Sequence, residues 1–234
     1  VSSAPYDGLN LGDHVGDDAA HVAANRAIYA RAIGAQPIFL NQVHGTKVLQ
    51  LDFQTPQGSV ADACLSNQPG LACTIMVADC LPVLLTSTKG QWVAAAHAGW
   101  RGLAGSNGGG VLEEVCQQFR VVSQVEKAQD ASEIIAWLGP CIGPKTFEVG
   151  DEVRHAFTAQ DPDAAALFQS QGKGKWLANL AGLARQRLQK LGINAIYGND
   201  SSDLWCTASQ PSRFFSHRRD RVSGRLAVSI WRNG

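Results

Sequence analysis

Apolar residues along the chain come in short blocks separated by Gly, Pro, Asp and Asn, and the periodicity of each block sorts helix from strand. Asp17-Asp18 can cap a helix that runs to about Ile33 and stops at Gly34, with Val22, Ile28, Ile33 and the alanines between them on its apolar side. Pro37–Val43 reads as a strand, and Val48–Leu51 as a second one after the His44-Gly45 turn. Leu71–Val77, Leu81–Thr86 and Trp92–Ala96 are three short strands with turns between them. A Gly-rich turn, GLAGSNGGG, leads into a helix near Val111–Phe119, and Ile134–Leu138 is a buried strand ended by Gly139-Pro140. Asp151–Phe157 and Leu177–Leu191 have helical patterns; Ile193–Tyr197 and Leu226–Trp231 complete the strands. Helices and strands mix without strict βαβ alternation, which points to a mixed-sheet α/β or α+β fold. No repeat, low-complexity tract or linker interrupts residues 1–234, so the chain reads as a single domain.

Two of the strand blocks contain residues that a core does not favour. TIMVADCLPVLL (Thr74–Leu85) holds Asp79-Cys80, and VAAAHAGWRG (Val93–Gly102) holds His97 and Arg101. His44, in NQVHG, also sits where a strand gives way to a Gly turn. Strand ends are where a rigid scaffold presents reactive groups. One Cys and two His make a three-ligand metal set, and zinc held by three protein ligands keeps a fourth position for water or substrate. Zinc in that setting brings the pKa of a water down to about 7. The wide spacing of the three matches no local zinc motif, and each has a bland reading. Cys80 would then be a small core side chain, and His44 and His97 hydrogen-bonded groups at strand ends.

Trp100 and Arg101 offer a flat indole for stacking and a permanent cation for phosphate or carboxylate; turn packing and an ordinary ion pair are the alternative. Gln42 and the Gly turns are candidates for positioning a ligand. Asp79 would orient a ligand, shuttle a proton or cap its loop. In GPCIGPKTFEVG, Cys141 reads as a packed thiol and Glu148 falls inside an apolar strand. RFFSHRRDRVSGR (Arg213–Arg225) is a basic loop with two aromatics, suited to anchoring a loop or gripping an anionic ligand. In YDGLNLGDHVGDD, Asn10, Asp13 and His14 have a ready role in satisfying loop backbone groups.

Composition changes this picture little but closes some routes. Lys+Arg and Asp+Glu balance at 20 each, which gives no support to a nucleic-acid partner. No run approaches the roughly 18 apolar residues of a membrane span. The opening stretch lacks the basic and apolar regions of a signal peptide, and the six cysteines are dispersed with no C-x-x-C pair. Free thiols and a cytoplasmic location are therefore expected. Nothing in the sequence signals an oligomeric state.

Taken together, PYDGLNLGDHVGDD, LNQVHGTKV, ADCLPVLL, AAAHAGWRG, WLGPCIGPKTFEVG and RFFSHRRD with GRLAVSIW resemble the YfiH, or laccase-domain, family, whose members have been labelled polyphenol oxidases and purine nucleoside phosphorylases. The strings span almost the whole chain in the family's order. The resemblance implies a layered α/β/β/α sandwich and a metal held by His44, Cys80 and His97. It also implies zinc, phosphorolysis of adenosine, inosine and methylthioadenosine with phosphate as co-substrate, and hydrolytic deamination of adenosine. On this reading Arg101 neutralises phosphate or another developing negative charge. Two departures stand out: Ser106–Gly109 looks like added length, and His217 replaces a common Tyr.

Other chemistries remain open at this level. A multicopper oxidase needs a trinuclear cluster fed by many imidazoles, and six His with no H-x-H pair cannot supply it from one chain. A single copper (Cu²⁺ in a polyphenol oxidase) would need His44, Cys80 and His97 with a weak axial Met, and Met76 is the only Met. A metal-free Cys–His amidohydrolase would use Cys80 as nucleophile and His97 as base. A structural zinc module is the weakest alternative, because such sites usually close with four protein ligands.

Overall fold

The computed structural model describes residues 1–106, 109–123 and 134–233. Two stacked sheets carry the core. The smaller has β4 (Leu71–Val77) at its centre, parallel to β1 (Gln36–Phe39) and antiparallel to β12 (Leu226–Ile230). The larger is built from β2 (Val48–Gln50), β3 (Ala63–Ser66), β5 (Leu81–Ser87), β6 (Val93–Ala98), β7 (Ile134–Leu138) and β11 (Ala195–Gly198). Its six strands lie in the order β11-β7-β5-β6-β3-β2. A third, small antiparallel sheet joins β8 (Glu148–Gly150), β9 (Phe168–Gly172) and β10 (Lys175–Ala178).

The two-residue period of a strand assigns the faces. On β6, Ala94, Ala96 and Ala98 join Leu81, Val83 and Leu85 of β5 in the larger core. Val93 and Ala95 belong instead to the inter-sheet core with Cys73, Ile75 and Val77 of β4. His97 continues this second series, so its ring emerges between the sheets. The outer face of the larger sheet is covered by α3 (Val111–Ser123), α4 (Asp151–Thr158) and α5 (Leu180–Lys190), through residues such as Phe119, Phe157 and Leu183. On the other side α1 (Ala19–Ile33) places Tyr29 against Leu11, Phe39 and Met76. The order of layers is the expected α/β/β/α within one mixed α/β domain.

Local signals account for the first helix. Asp18 caps α1 by accepting from the Ala20 and His21 N–H groups, and Gly34 ends it with φ 66°. Its packing differs from the expected Val22–Ile28–Ile33 stripe: only Val22 and Asn25 are buried, and Ile28 is exposed. Asn25 instead donates to the Asn10 carbonyl at 2.9 Å, so a polar contact helps seat the helix.

The expected strand over 37–43 stops at Phe39, since Asn41 leaves to bridge Val60. The expected helix over 177–191 starts at Leu180, because Leu177 belongs to β10 and Asn179 caps the helix through the Gly182 N–H. Glu148 opens β8 as an exposed residue. Of the added length at Ser106–Gly109, Ser106 and Gly109 form an isolated bridge, and residues 107 and 108 lie outside the described residues. Among the described residues no helix is long and apolar enough to cross a membrane.

Candidate metal centre and active-site cleft

Three chain segments meet at the mouth between the two sheets. Cys80 lies in the short turn from β4 to β5, His97 is on β6, and His44 occupies the loop after β1. One ligand atom from each lies within 4.8 Å of the other two. Cys80 Sγ is 3.6 Å from His44 Nε2. Sulfur and nitrogen ligands at zinc distances and tetrahedral angles would be about 3.6 Å apart, so this donor set fits such an ion. The His44 and His97 rings meet edge to face with centroids 4.7 Å apart.

Glycine makes this approach possible. A Cβ on Gly99 would lie 2.7 Å from His44 Cδ2 and 3.0 Å from Cys80 Sγ. Gly99 also begins α2 (Trp100–Ala104), whose Gly102 packs against the Gly45 carbonyl, where a Cβ would come within 2.7 Å.

Asp62, which the sequence analysis did not single out, organises the centre. It is fully buried. Its Oδ1 accepts from His44 N at 2.8 Å and contacts His97 Nδ1 at 2.9 Å. Its Oδ2 accepts from Val43 N at 3.1 Å and Gly45 N at 2.7 Å. One carboxylate therefore holds the His44 turn, where φ is 61°, and leaves Nε2 of His97 free to act as a ligand. The only signal in the sequence was a charge inside the apolar stretch VADACL.

The electrostatics follow from these contacts. Burial alone would raise the Cys80 thiol, but the His97 charge and hydrogen bonds from His44 and His97 bring it down to about 6. Burial alone would lower His97, but the Cys80 charge and the Asp62 hydrogen bond lift it to about 9. Burial would likewise raise Asp62, yet the His97 and Gly45 donors hold it below its ordinary value. The pair is thus poised as thiolate and imidazolium, and a metal entering here would displace the His97 proton.

A cleft of about 380 Å³ opens over the three candidate ligands, with Trp100, Ile142, Phe147 and Leu180 supplying apolar wall. Gln42 borders it, but both ends of its amide are taken by the Met76 backbone, each at 2.8 Å. Asp79, with φ 89°, accepts from Thr207 Oγ1 and from Arg218 N, each at 2.6 Å, so it acts as a loop cap. Arg101 is exposed, lies over the Trp100 ring with 4.5 Å to its centroid, and is not among the lining residues. The arginines that do line the cleft are Arg218 and Arg225, with His14 and His217 beside them. Cys141 is buried and accepts from Asn199, as its packed reading expects.

The family model described as multi-copper polyphenol oxidoreductase laccase matches residues 1–233. Purine nucleoside phosphorylase YfiH of Escherichia coli is 48% identical over 233 residues, covering 99% of this chain and 89% of the relative. A purine nucleoside phosphorylase of Haemophilus influenzae is 47% identical over 235 residues, again covering 99% and 89%. The crystal structure of Neisseria meningitidis protein NMB0706 superposes with a TM-score of 0.88 at 41% identity, covering 100% of this chain and 90% of that one. YlmD of Geobacillus stearothermophilus superposes with a TM-score of 0.87 at 27% identity, covering 100% and 88%. This chain therefore belongs to the multi-copper polyphenol oxidoreductase laccase family, alongside YfiH.

Proposed function

We propose that the chain is a zinc-dependent purine nucleoside phosphorylase acting on adenosine, inosine and methylthioadenosine, and that it also deaminates adenosine. The observation that carries this is the convergence of His44, Cys80 and His97 under an open cleft, in a chain whose relatives are named purine nucleoside phosphorylases. Bound by these three side chains, a divalent ion would act as a Lewis acid toward an oxygen of the nucleophile.

The residues of the chain do the rest. Asp62 orients His97 and the His44 turn. Trp100 and Phe147 offer faces against which a purine can lie. Gln42 and Asp79 act one step away, by holding the backbone of the cleft walls. In phosphorolysis a phosphate oxygen bonds to C1′ of the ribose as the C1′–N9 bond breaks. The electron pair and the phosphate proton leave with the base, giving free purine and ribose 1-phosphate. In deamination water adds at C6 of adenine and ammonia leaves, giving inosine. The six free cysteines support a reducing, cytoplasmic setting.

Met76 bears on the copper alternative. Its sulfur is 3.8 Å from Arg26 Nη2, and it packs with Leu11 and Phe39 on the α1 side of the smaller sheet. An axial role toward Cys80 would require it to turn away from those contacts. The poised Cys80–His97 pair favours a second reading, a Cys–His hydrolase working without metal.

Metal analysis of the purified protein, with product analysis on adenosine with and without phosphate, tests the proposal. Zinc should be present, ribose 1-phosphate should form only with phosphate, and chelation should stop turnover. Turnover that survives complete metal removal would support the Cys–His hydrolase instead.

A further inference from the structure

Arg225 stands immediately before β12, where the N-terminal loop is stitched to the sheet. Its N–H donates to Asn10 Oδ1 at 2.9 Å, and its carbonyl accepts from Leu11 N at 3.1 Å. Asn10 is fully buried and is fixed in turn by Asp17 Oδ2 at 2.8 Å. The side-chain stem lies across Gly12, where a Cβ would come within 2.7 Å of Arg225 Cγ. Nη1 is pinned by the Ser223 and Gly224 carbonyls, each at 3.0 Å. Among the described residues, Nε and Nη2 have no protein partner and no carboxylate forms an ion pair with this guanidinium. A half-buried cation on a rigid stem, lining the cleft with two N–H groups unpaired and only through-space charges, those of Cys80 and Asp79 foremost, acting on it, is suited to oxyanion recognition.

Arg218, the other arginine lining the cleft, donates from Nη1 to the Thr146 and Glu148 carbonyls and lies over the Phe147 ring, 5.7 Å from its centroid, so it is held against the cleft wall. Arg219 holds Asp220 and the Thr207 and Phe214 carbonyls. Arg101 lies outside the cleft lining. Both oxygens of Asp79 are hydrogen-bonded, one to Thr207 and the other to Arg218. His14 lines the cleft as well and stands close enough to Arg225 that the guanidinium charge, after burial, lowers its imidazole.

We infer that Arg225, assisted by His14, forms the subsite for inorganic phosphate in this cleft, in place of Arg101. This rests on the phosphorolysis reading for its biological meaning but not for its test. The fork offers its two spare N–H groups to phosphate oxygens, and the imidazole offers a third contact.

The experiment titrates inorganic phosphate into the metal-loaded protein by calorimetry, comparing wild type with Arg225→Gln, Arg225→Lys and Arg101→Gln. Phosphate should bind wild type, and Arg225→Gln should weaken it by about tenfold or more. Arg225→Lys keeps the charge and the stem but loses the fork, so it should fall between them at an unchanged melting temperature. If Arg225→Gln does not fold, the lysine variant carries the comparison. Wild-type affinity in the Arg225 variants, loss of binding in Arg101→Gln instead, or no phosphate binding to wild type each overturns the assignment. So would Arg225-dependent binding of adenosine 5′-monophosphate with none of inorganic phosphate. Phosphate binding through Arg225 without phosphorolysis of any nucleoside would refute the functional reading and leave the subsite standing. Phosphorolysis with an unchanged KM for phosphate in Arg225→Gln would do the reverse.

Discussion

Asp62 Oδ1 lies 2.9 Å from His97 Nδ1, in a position where neither group meets bulk water. The same carboxylate gathers three consecutive backbone N–H groups around His44. Two of the three metal-ligand candidates are thus oriented by one buried anion.

Asp62→Asn tests this directly. Each oxygen of Asp62 faces two N–H donors, so an amide NH₂ meets donors whichever way it is turned. Metal affinity, measured by competition with a chelator, should fall about 10–100-fold. Wild-type affinity would show that His97 and His44 are held by other means.

Gly99→Ala tests the need for close approach. The backbone at Gly99 has φ −66°, which alanine accepts, so any effect must come from the added methyl pressing on His44 and Cys80. Metal content should drop well below one ion per chain while the metal-free protein melts within a few degrees of wild type. Full occupancy would contradict the packing described.

The metal-stripped protein should show one fast-reacting thiol. Cys80 is lowered to about 6, so it is protonated and slow below that pH and a reactive thiolate above it. The other five cysteines are buried. Iodoacetamide should therefore label one site per chain, with a rate midpoint near pH 6. A midpoint at the ordinary thiol value of about 8.5 would contradict the His97 pairing.

Gln42→Ala separates a framework role from ligand binding. Loss of both amide contacts to Met76 should cost about 1–3 kcal/mol in denaturant unfolding. A higher substrate KM with unchanged stability would return Gln42 to the ligand-holding role its place beside His44 suggested.

What was legible in the sequence follows the range of the forces involved. α1 was readable because Asp18 and Gly34 act within a few residues of its ends. β4, β5 and β6 were readable because continuous apolar runs leave few other choices. His44, Cys80 and His97 stood out as reactive groups at strand ends. Asp62 did not, because its role is defined by partners across the sheet. Arg225 was visible only as part of a basic loop, since the contacts that fix its stem and leave part of its guanidinium unpaired come from Asn10, Leu11 and Gly12 at the other end of the chain. β3, β9 and β10 were missed because these strands are short and set by tertiary pairing. Arg101 looked suited to phosphate from its neighbours in the sequence, yet α2 turns it out onto the Trp100 ring.

The most direct test of the central claim is X-ray absorption at the edge of the metal bound to the purified protein. One sulfur at about 2.3 Å and two imidazole nitrogens at about 2.0–2.1 Å, completed by a light exchangeable ligand, are the predicted shell. The sulfur contribution should vanish in Cys80→Ala. A shell of nitrogen and oxygen alone in wild type, or an unchanged spectrum in that variant, would contradict the site.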